Sequence, residues 1–317
     1  MEAEGWFRGV SGDASCFASP QASSFGGAVE RNYQYRPLRF FPAAYVVTWM
    51  PWFLAVYAGL QKGLQAYATL FNLVGLMGPF AVALFLILTS GGKALKSDFK
   101  DRILNLRRIR PTYLTLAIAM PFTVMCLSIW LSLWFGQSTD QFRLAGGANL
   151  LAMMILAIIL APLLEEMGWR GYGVDSLRVK TGMLKAFAAL WSAWHAPLML
   201  IGGTYQNQLA RMDNPIFLGN FFVSIIPAAI IANWLYYKNN RSIGAAVVLH
   251  SMLNAASVLL NAGQVAKCIA TILYAATAAA IIAIDRTAFA ESPRNFLYDA
   301  EEPVKSAASR PRSRPVS

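Results

Sequence analysis

Eight apolar stretches of helix-spanning length recur along the chain, and nothing constrains its fold more. They cover residues 41–60, 64–90, 111–135, 148–164, 183–202, 216–236, 242–262 and 265–284. About 20 apolar residues in a helix cross the hydrocarbon core of a bilayer. Backbone N–H and C=O groups inside lipid must be satisfied internally, which leaves only helices and closed barrels. The apolar period here is not two, and the ~10-residue alternation of barrel strands does not occur. Charged residues make up 14% of the 317, against about 25% in ordinary soluble domains. The sequence therefore predicts an all-α membrane protein, a polytopic bundle of about eight transmembrane helices. The spans are rich in Gly, Ala, Ser and Pro, and small residues let helices approach closely in lipid.

Charge sets the orientation. Of the 27 Lys and Arg, all but Lys62, Arg143, Arg211 and Lys267 fall on one side of these spans. That asymmetry is the positive-inside pattern, and it places both termini in the cytoplasm with an even number of crossings. The net charge of +11 then reflects basic loops facing anionic lipid, with no nucleic-acid partner implied. Residues 1–38 form a cytoplasmic N-terminal tail without the apolar region of a signal peptide. Residues 39–286 form the transmembrane bundle, and 287–317 form a basic cytoplasmic tail of disordered composition. In the 91–110 loop, Leu95, Phe99, Ile103 and Leu106 fall near helical spacing. This loop reads either as an interfacial helix or as a plain charged connector. Cys16, Cys126 and Cys268 lie far apart, so neither a disulfide framework nor a thiolate metal site follows. Cys126 and Cys268 read as small apolar residues within spans.

Ionisable groups inside these spans are few. The chain has two histidines, His195 and His250, and both lie in apolar segments. Glu165 and Glu166 close the fourth stretch, with Arg170 one turn on. An intramembrane charge costs roughly 3 kcal/mol on insertion scales, so such residues point to function. On a helix, residues i and i+4 share a face while neighbours diverge by about 100°. Glu166 and Arg170 are thus expected to pair, leaving Glu165 turned elsewhere. At 1.5 Å per residue, His195 lies roughly 18 Å and His250 roughly 12 Å from the cytoplasmic side. Asn254 follows one turn after His250 on the same face. Glu165 sits near the cytoplasmic boundary, so all four would meet in the cytoplasmic half, in an intramembrane cavity facing the cytoplasm.

Three chemistries fit those residue types. A carboxylate and an imidazole, Glu165 and His195, would activate a water, with His250 and Asn254 donating to the oxyanion. A zinc ion held by His195, His250 and Glu165 would leave a fourth position open. Asn254 is an unusual zinc ligand and a natural oxyanion donor, which ranks the metal-free scheme higher, with no cofactor required. A serine hydrolase would use Ser192, Ser251 or Ser257, although an intrahelical hydroxyl more often bonds its own backbone. The chain has no G-x-S-x-G, H-E-x-x-H or glycine-rich phosphate loop.

The motifs read EEMGWR at 165–170, WSAWH at 191–195 and HSMLN at 250–254. In order, spacing and membrane placement they resemble the CAAX protease and bacteriocin-processing (CPBP) intramembrane endopeptidases, which carry E-E-x-x-x-R, F-x-x-x-H and H-x-x-x-N. The matching core covers 148–262, and its surroundings are similar to the bacterial branch. Trp191 departs from the usual Phe but keeps an aromatic, so a packing role is expected. The resemblance implies that Glu165 and His195 activate the attacking water and that His250 and Asn254 line the oxyanion site. Glu166 and Arg170 would support them as an ion pair. It further implies an eight-helix bundle whose cavity opens to the cytoplasm and laterally to lipid. The substrate would be a peptide or a membrane-anchored protein, in a bacterial plasma membrane. Two other readings remain at this stage. One is a proton-coupled transporter using the intramembrane Glu and His as a relay. The other is a pseudoprotease that binds a membrane partner.

Overall fold

The computed structural model describes residues 35–90, 92–147, 150–181, 184–286 and 289. The expected terminal tails lie almost wholly outside the described residues. Among the described residues the protein is all-helical, apart from an isolated antiparallel bridge between Leu144 and Leu260. Its helices are α1 (Pro37–Leu60), α2 (Gln65–Leu76), α3 (Gly78–Thr89), α4 (Lys93–Leu104), α5 (Pro111–Ser132), α6 (Leu150–Met153) and α7 (Ala161–Gly168). They continue with α8 (Val174–Thr181), α9 (Leu184–Trp194), α10 (Tyr205–Ala210), α11 (Pro215–Lys238), α12 (Ile243–Leu259) and α13 (Gln264–Ile284).

Four of these are long and apolar enough to cross a membrane: Pro37–Leu60, Pro111–Phe135, Pro215–Lys238 and Gln264–Ile284. The pair α2 and α3, bent by 41° at Met77, supplies a fifth if it is one span. The protein is therefore an integral membrane protein; by length and composition four or five of the eight expected spans are met among the described residues. The shortfall has local causes. The stretch that begins at Leu150 turns π-helical over Met154–Leu160 and again over Trp169–Gly173. α9 stops at Trp194 because Pro197 follows in a 3-10 turn, Ala196–Leu200. α12 has 17 residues, slightly short for a crossing. These interrupted helices carry the polar motifs, and π-bulges recur at functional sites.

Helix starts follow from local chemistry. Pro occupies the first positions of α1, α3, α5 and α11, where its missing N–H costs nothing. Asn214 accepts from the Ile216 N–H at 3.0 Å and Ser242 from the Ala245 N–H at 3.3 Å, capping α11 and α12. Asn240 and Arg241, at φ 52° and 62°, turn the chain between these helices. Pro121 and Pro227 lie inside α5 and α11 without ending them.

Two cores result. An aromatic one surrounds the motif helices, with Phe40, Trp52, Trp169, Phe187 and Trp194 fully enclosed. A second, between α5, α11, α12 and α13, is rich in alanine: Ala117, Ala232, Ala245, Ala256, Ala266 and Ala270. Small residues at that seam are what helix packing in lipid requires. Cys126 is exposed on α5 and Cys268 half-buried on α13, both unbridged.

The 91–110 segment forms a helix, α4, with Lys93, Lys96 and Lys100 exposed. Leu95 and Phe99 are buried as expected, and so are Asp98 and Arg102, whereas Leu106 is exposed. Arg102 pairs with Asp98 at 2.8 Å and Asp175 at 3.0 Å. Arg241 pairs with Asp98 at 3.1 Å and Asp175 at 2.7 Å. Two arginines and two aspartates thus neutralise one another, with Tyr236 donating to Asp175 at 2.9 Å. Burial pushes the Asp98 carboxyl up, but Arg102 and Arg241 outweigh it and hold the group below the usual carboxylate range. Arg102 also donates to the carbonyls of Arg170 at 3.0 Å and Gly171 at 2.9 Å. The cluster therefore grips the π-helical turn that carries Arg170.

α7 packs on α3 through Gly168. A Cβ there would lie 2.5 Å from the Pro79 carbonyl carbon and 2.6 Å from the Phe80 nitrogen. Both are backbone atoms with no rotamer to yield. Gly168→Ala is expected to cost about 1–3 kcal/mol, as overpacking does, and to lower the melting temperature in detergent. An unchanged melting temperature would show that α3 can move aside.

Candidate active site

Glu165, Glu166, Arg170, Trp191, His195 and His250 come together among α7, α9 and α12, and all six are buried. They form two layers. Glu166 and Arg170 pair at 2.8 Å, and both side chains are 0% exposed. The same Glu166 oxygen, Oε1, meets His250 Nδ1 at 2.9 Å. A carboxylate paired with arginine only accepts, so His250 Nδ1 carries the hydrogen and donates. The Arg170 guanidinium also lies 4.6 Å over the Trp191 ring and 5.2 Å over Phe187. Such cation–π contacts are strongest when desolvated.

The second layer is Glu165 and His195. Glu165 Oε2 stands 3.9 Å from His195 Nε2. His195 Nδ1 lies 2.8 Å from the carbonyl oxygen of Trp191. A carbonyl only accepts, so Nδ1 donates and the neutral ring presents the Nε2 lone pair to Glu165. Two acceptors face each other across that gap. The Trp191 indole N–H donates to Glu165 Oε2 at 3.0 Å.

Local backbone chemistry fixes these positions. The Trp194 carbonyl would take its helical bond from Leu198, but that N–H goes to His195 at 3.0 Å. Pro197, one residue nearer, has no N–H to give. The Trp49 indole fills the place at 2.9 Å. Tyr45 donates to the Leu190 carbonyl in the same helix. Thus α1 clamps α9 on both sides of Trp191.

Asn254 lies one turn beyond His250 and donates to the Ala157 carbonyl at 2.7 Å. Ala157 belongs to the π-helical stretch, and its partner one π turn on would be Pro162, which has no N–H. One amide hydrogen of Asn254 therefore ties α12 to the helix of Glu165, and the other stays available.

The serine reading loses its best candidate. Ser192 donates to the Phe222 carbonyl at 2.8 Å. Ser251 and Ser257 lie half-buried on α12, and among the described residues neither bonds a histidine. The zinc set is not gathered either. Among the described residues, no three of His, Cys, Asp and Glu are grouped as metal ligands. His250 Nδ1 is turned to Glu166, and the Glu165 oxygen facing His195 accepts the Trp191 N–H.

Glu165, His195 and His250 are each under a tenth exposed, so the centre is closed in this structure. A groove of about 540 Å³ runs along the outside of α1, lined by apolar side chains from Phe41 to Phe53 and by Leu190. Another, of about 430 Å³, lies between α11 and α13. Neither is lined by the six residues of the centre.

Sequence reasoning missed Asp98, Arg102, Asp175 and Arg241, which brace the centre from below. Asp98 and Arg102 stand four apart on α4, which is the one local signal, whereas Asp175 and Arg241 lie far from them in sequence and follow no motif.

Residues 147–256 match the family described as Rce1-like type II CAAX prenyl endopeptidases. A protein of Methanococcus maripaludis named CAAX prenyl protease 2 is 36% identical over 267 residues. The match spans 82% of this chain and 98% of that relative.

Proposed function

The chain belongs to the Rce1-like CAAX prenyl endopeptidases and is a membrane-embedded protease, and we propose that it hydrolyses a peptide bond near the membrane surface with a water held between Glu165 and His195. The separation of 3.9 Å between Glu165 Oε2 and His195 Nε2 carries this reading. A water at ~2.8 Å from each acceptor would subtend roughly 90°, close to the opening of its own two O–H bonds. Glu165 takes one proton as the water oxygen attacks the scissile carbonyl. His195 Nε2 accepts from the other O–H and fixes the lone pair on the carbonyl carbon. Glu165 then returns its proton to the departing amine. No step needs a metal or other cofactor.

Asn254 supplies its remaining N–H to the oxyanion. His250 has Nδ1 committed to Glu166, so it donates from Nε2 only as an imidazolium. The Glu166 carboxylate beneath it is placed to balance that charge. Such preorganised donors stabilise the oxyanion most in a water-poor site. Both termini lie in the cytoplasm by the charge asymmetry, and the centre is reached from that side.

The name of the archaeal relative points to a prenylated C-terminal peptide as substrate class. A lipid chain concentrates the peptide at the membrane, at ~0.8 kcal/mol per buried CH₂. The test is hydrolysis of quenched fluorescent peptides by purified protein in micelles, each with and without a farnesyl thioether. Prenylated peptide is expected to be cleaved at least about tenfold faster at limiting concentration. Equal rates would reject the prenyl substrate and leave the peptidase.

A further inference from the structure

Trp191 meets four of the five charged or titratable groups of the centre, Glu165, His195, Arg170 and His250. Its indole N–H donates to Glu165 at 3.0 Å and its carbonyl accepts from His195 at 2.8 Å. Its ring faces the Arg170 guanidinium at 4.6 Å and meets His250 edge-on at 5.4 Å. The ring also stacks on Phe187 at 6.1 Å, and the side chain is buried. A phenyl ring in the same slot would pack against Phe187, Arg170 and His250. It would have nothing to donate. The packing role expected from sequence therefore accounts for the ring and leaves the N–H unexplained.

The N–H meets the oxygen that matters. Glu165 Oε2 receives it, and Oε2 is also the oxygen facing His195 Nε2. The terminal torsion of a glutamate is broad and roughly two-fold, so an unrestrained carboxylate turns freely between orientations. One N–H on Oε2 pins it. A carboxylate oxygen has two lone-pair sites, so the other remains for a water.

We propose that Trp191 is a positioning residue that aims the Glu165 carboxylate at His195 through its indole N–H. This rests on the assignment of Glu165 as the base. The charged and titratable groups around Glu165 are Glu166 on α7, Arg170 on the turn after it, His195 beyond α9 and His250 on α12. None of them donates to Oε2, and no substitution of Trp191 removes any of them.

The test compares three proteins by peptide hydrolysis in detergent. Trp191→Phe removes the N–H and part of the ring. Replacement of Trp191 by β-(3-benzothienyl)alanine removes the N–H alone, because sulfur takes the place of the nitrogen. Glu165→Gln is the reference. Both Trp191 replacements are expected to lower kcat about tenfold, as loss of a hydrogen bond to a charged group does. KM should stay near its wild-type value. A benzothienylalanine protein with wild-type kcat overturns the proposal, because only the N–H was removed. If Glu165→Gln is inactive in that case, the assignment of Glu165 survives and only the role of Trp191 falls. An active Glu165→Gln removes both.

Discussion

Glu165→Gln is expected to lower peptide cleavage by at least about 10³-fold without unfolding the protein. General-base assistance is worth about 10²–10⁴-fold, and no other carboxylate among the described residues is placed to replace it. Glu166, the nearest, is committed to Arg170 and His250 at 2.8 and 2.9 Å. Gln keeps the shape and one acceptor oxygen for the Trp191 indole. Its amide would sit opposite the His195 Nε2 lone pair and donate to it, closing the gap where the water belongs. Melting in detergent should therefore hold or rise, since a buried carboxylate has been removed. Steady-state hydrolysis and thermal unfolding on the same preparation separate the two effects. Turnover within tenfold of wild type would remove Glu165 from the reaction.

The parts of the centre that sequence displays are those set by short-range geometry. Glu166 and Arg170 are four apart on one helix, so their pairing follows from the helical repeat. Its i,i+4 spacing survives the π-helical turn that begins at Trp169. Glu165 must then diverge from its neighbour, as observed. The meeting of α7, α9 and α12 was expected from depths read along separate helices on the assumption of a common side. The helix count was not legible in the same way. Hydropathy measures apolar length, whereas the breaks at Met77, in the π-helical stretches and before Pro197 depend on backbone bonding that hydropathy does not sense.

Long-range polar contacts were hidden for a different reason. Asp98 and Arg102 lie in a loop rich in Lys and Arg, where charge ordinarily means solvent. Their burial depends on partners 73 and 143 residues away, Asp175 and Arg241. No periodicity links such positions. Trp191 shows a subtler limit. Residue type announced an aromatic contact, but the direction of an N–H depends on a rotamer, and that rotamer is set by Phe187, Arg170 and His250 together.

Arg170→Leu is expected to destabilise the protein by about 3–5 kcal/mol, the range for removing one member of a buried ion pair. The loss exceeds that of the contact itself, because Glu166 would remain as a carboxylate with no exposure to water. Activity should fall with stability, because the Glu166 oxygen that holds His250 Nδ1 at 2.9 Å loses the Arg170 partner that fixes it. Pairing Arg170→Leu with Glu166→Gln removes the stranded charge while Gln still accepts from His250 Nδ1. The double variant is expected to regain most of the stability, because buried pairs replaced by neutral groups are often no less stable than the original. Melting temperatures of the two single variants and the double one in the same detergent form a complete cycle. A single Arg170→Leu that melts like wild type would mean Glu166 is neutral in the folded protein, and the counter-ion role assigned to it beneath His250 would fall with that result.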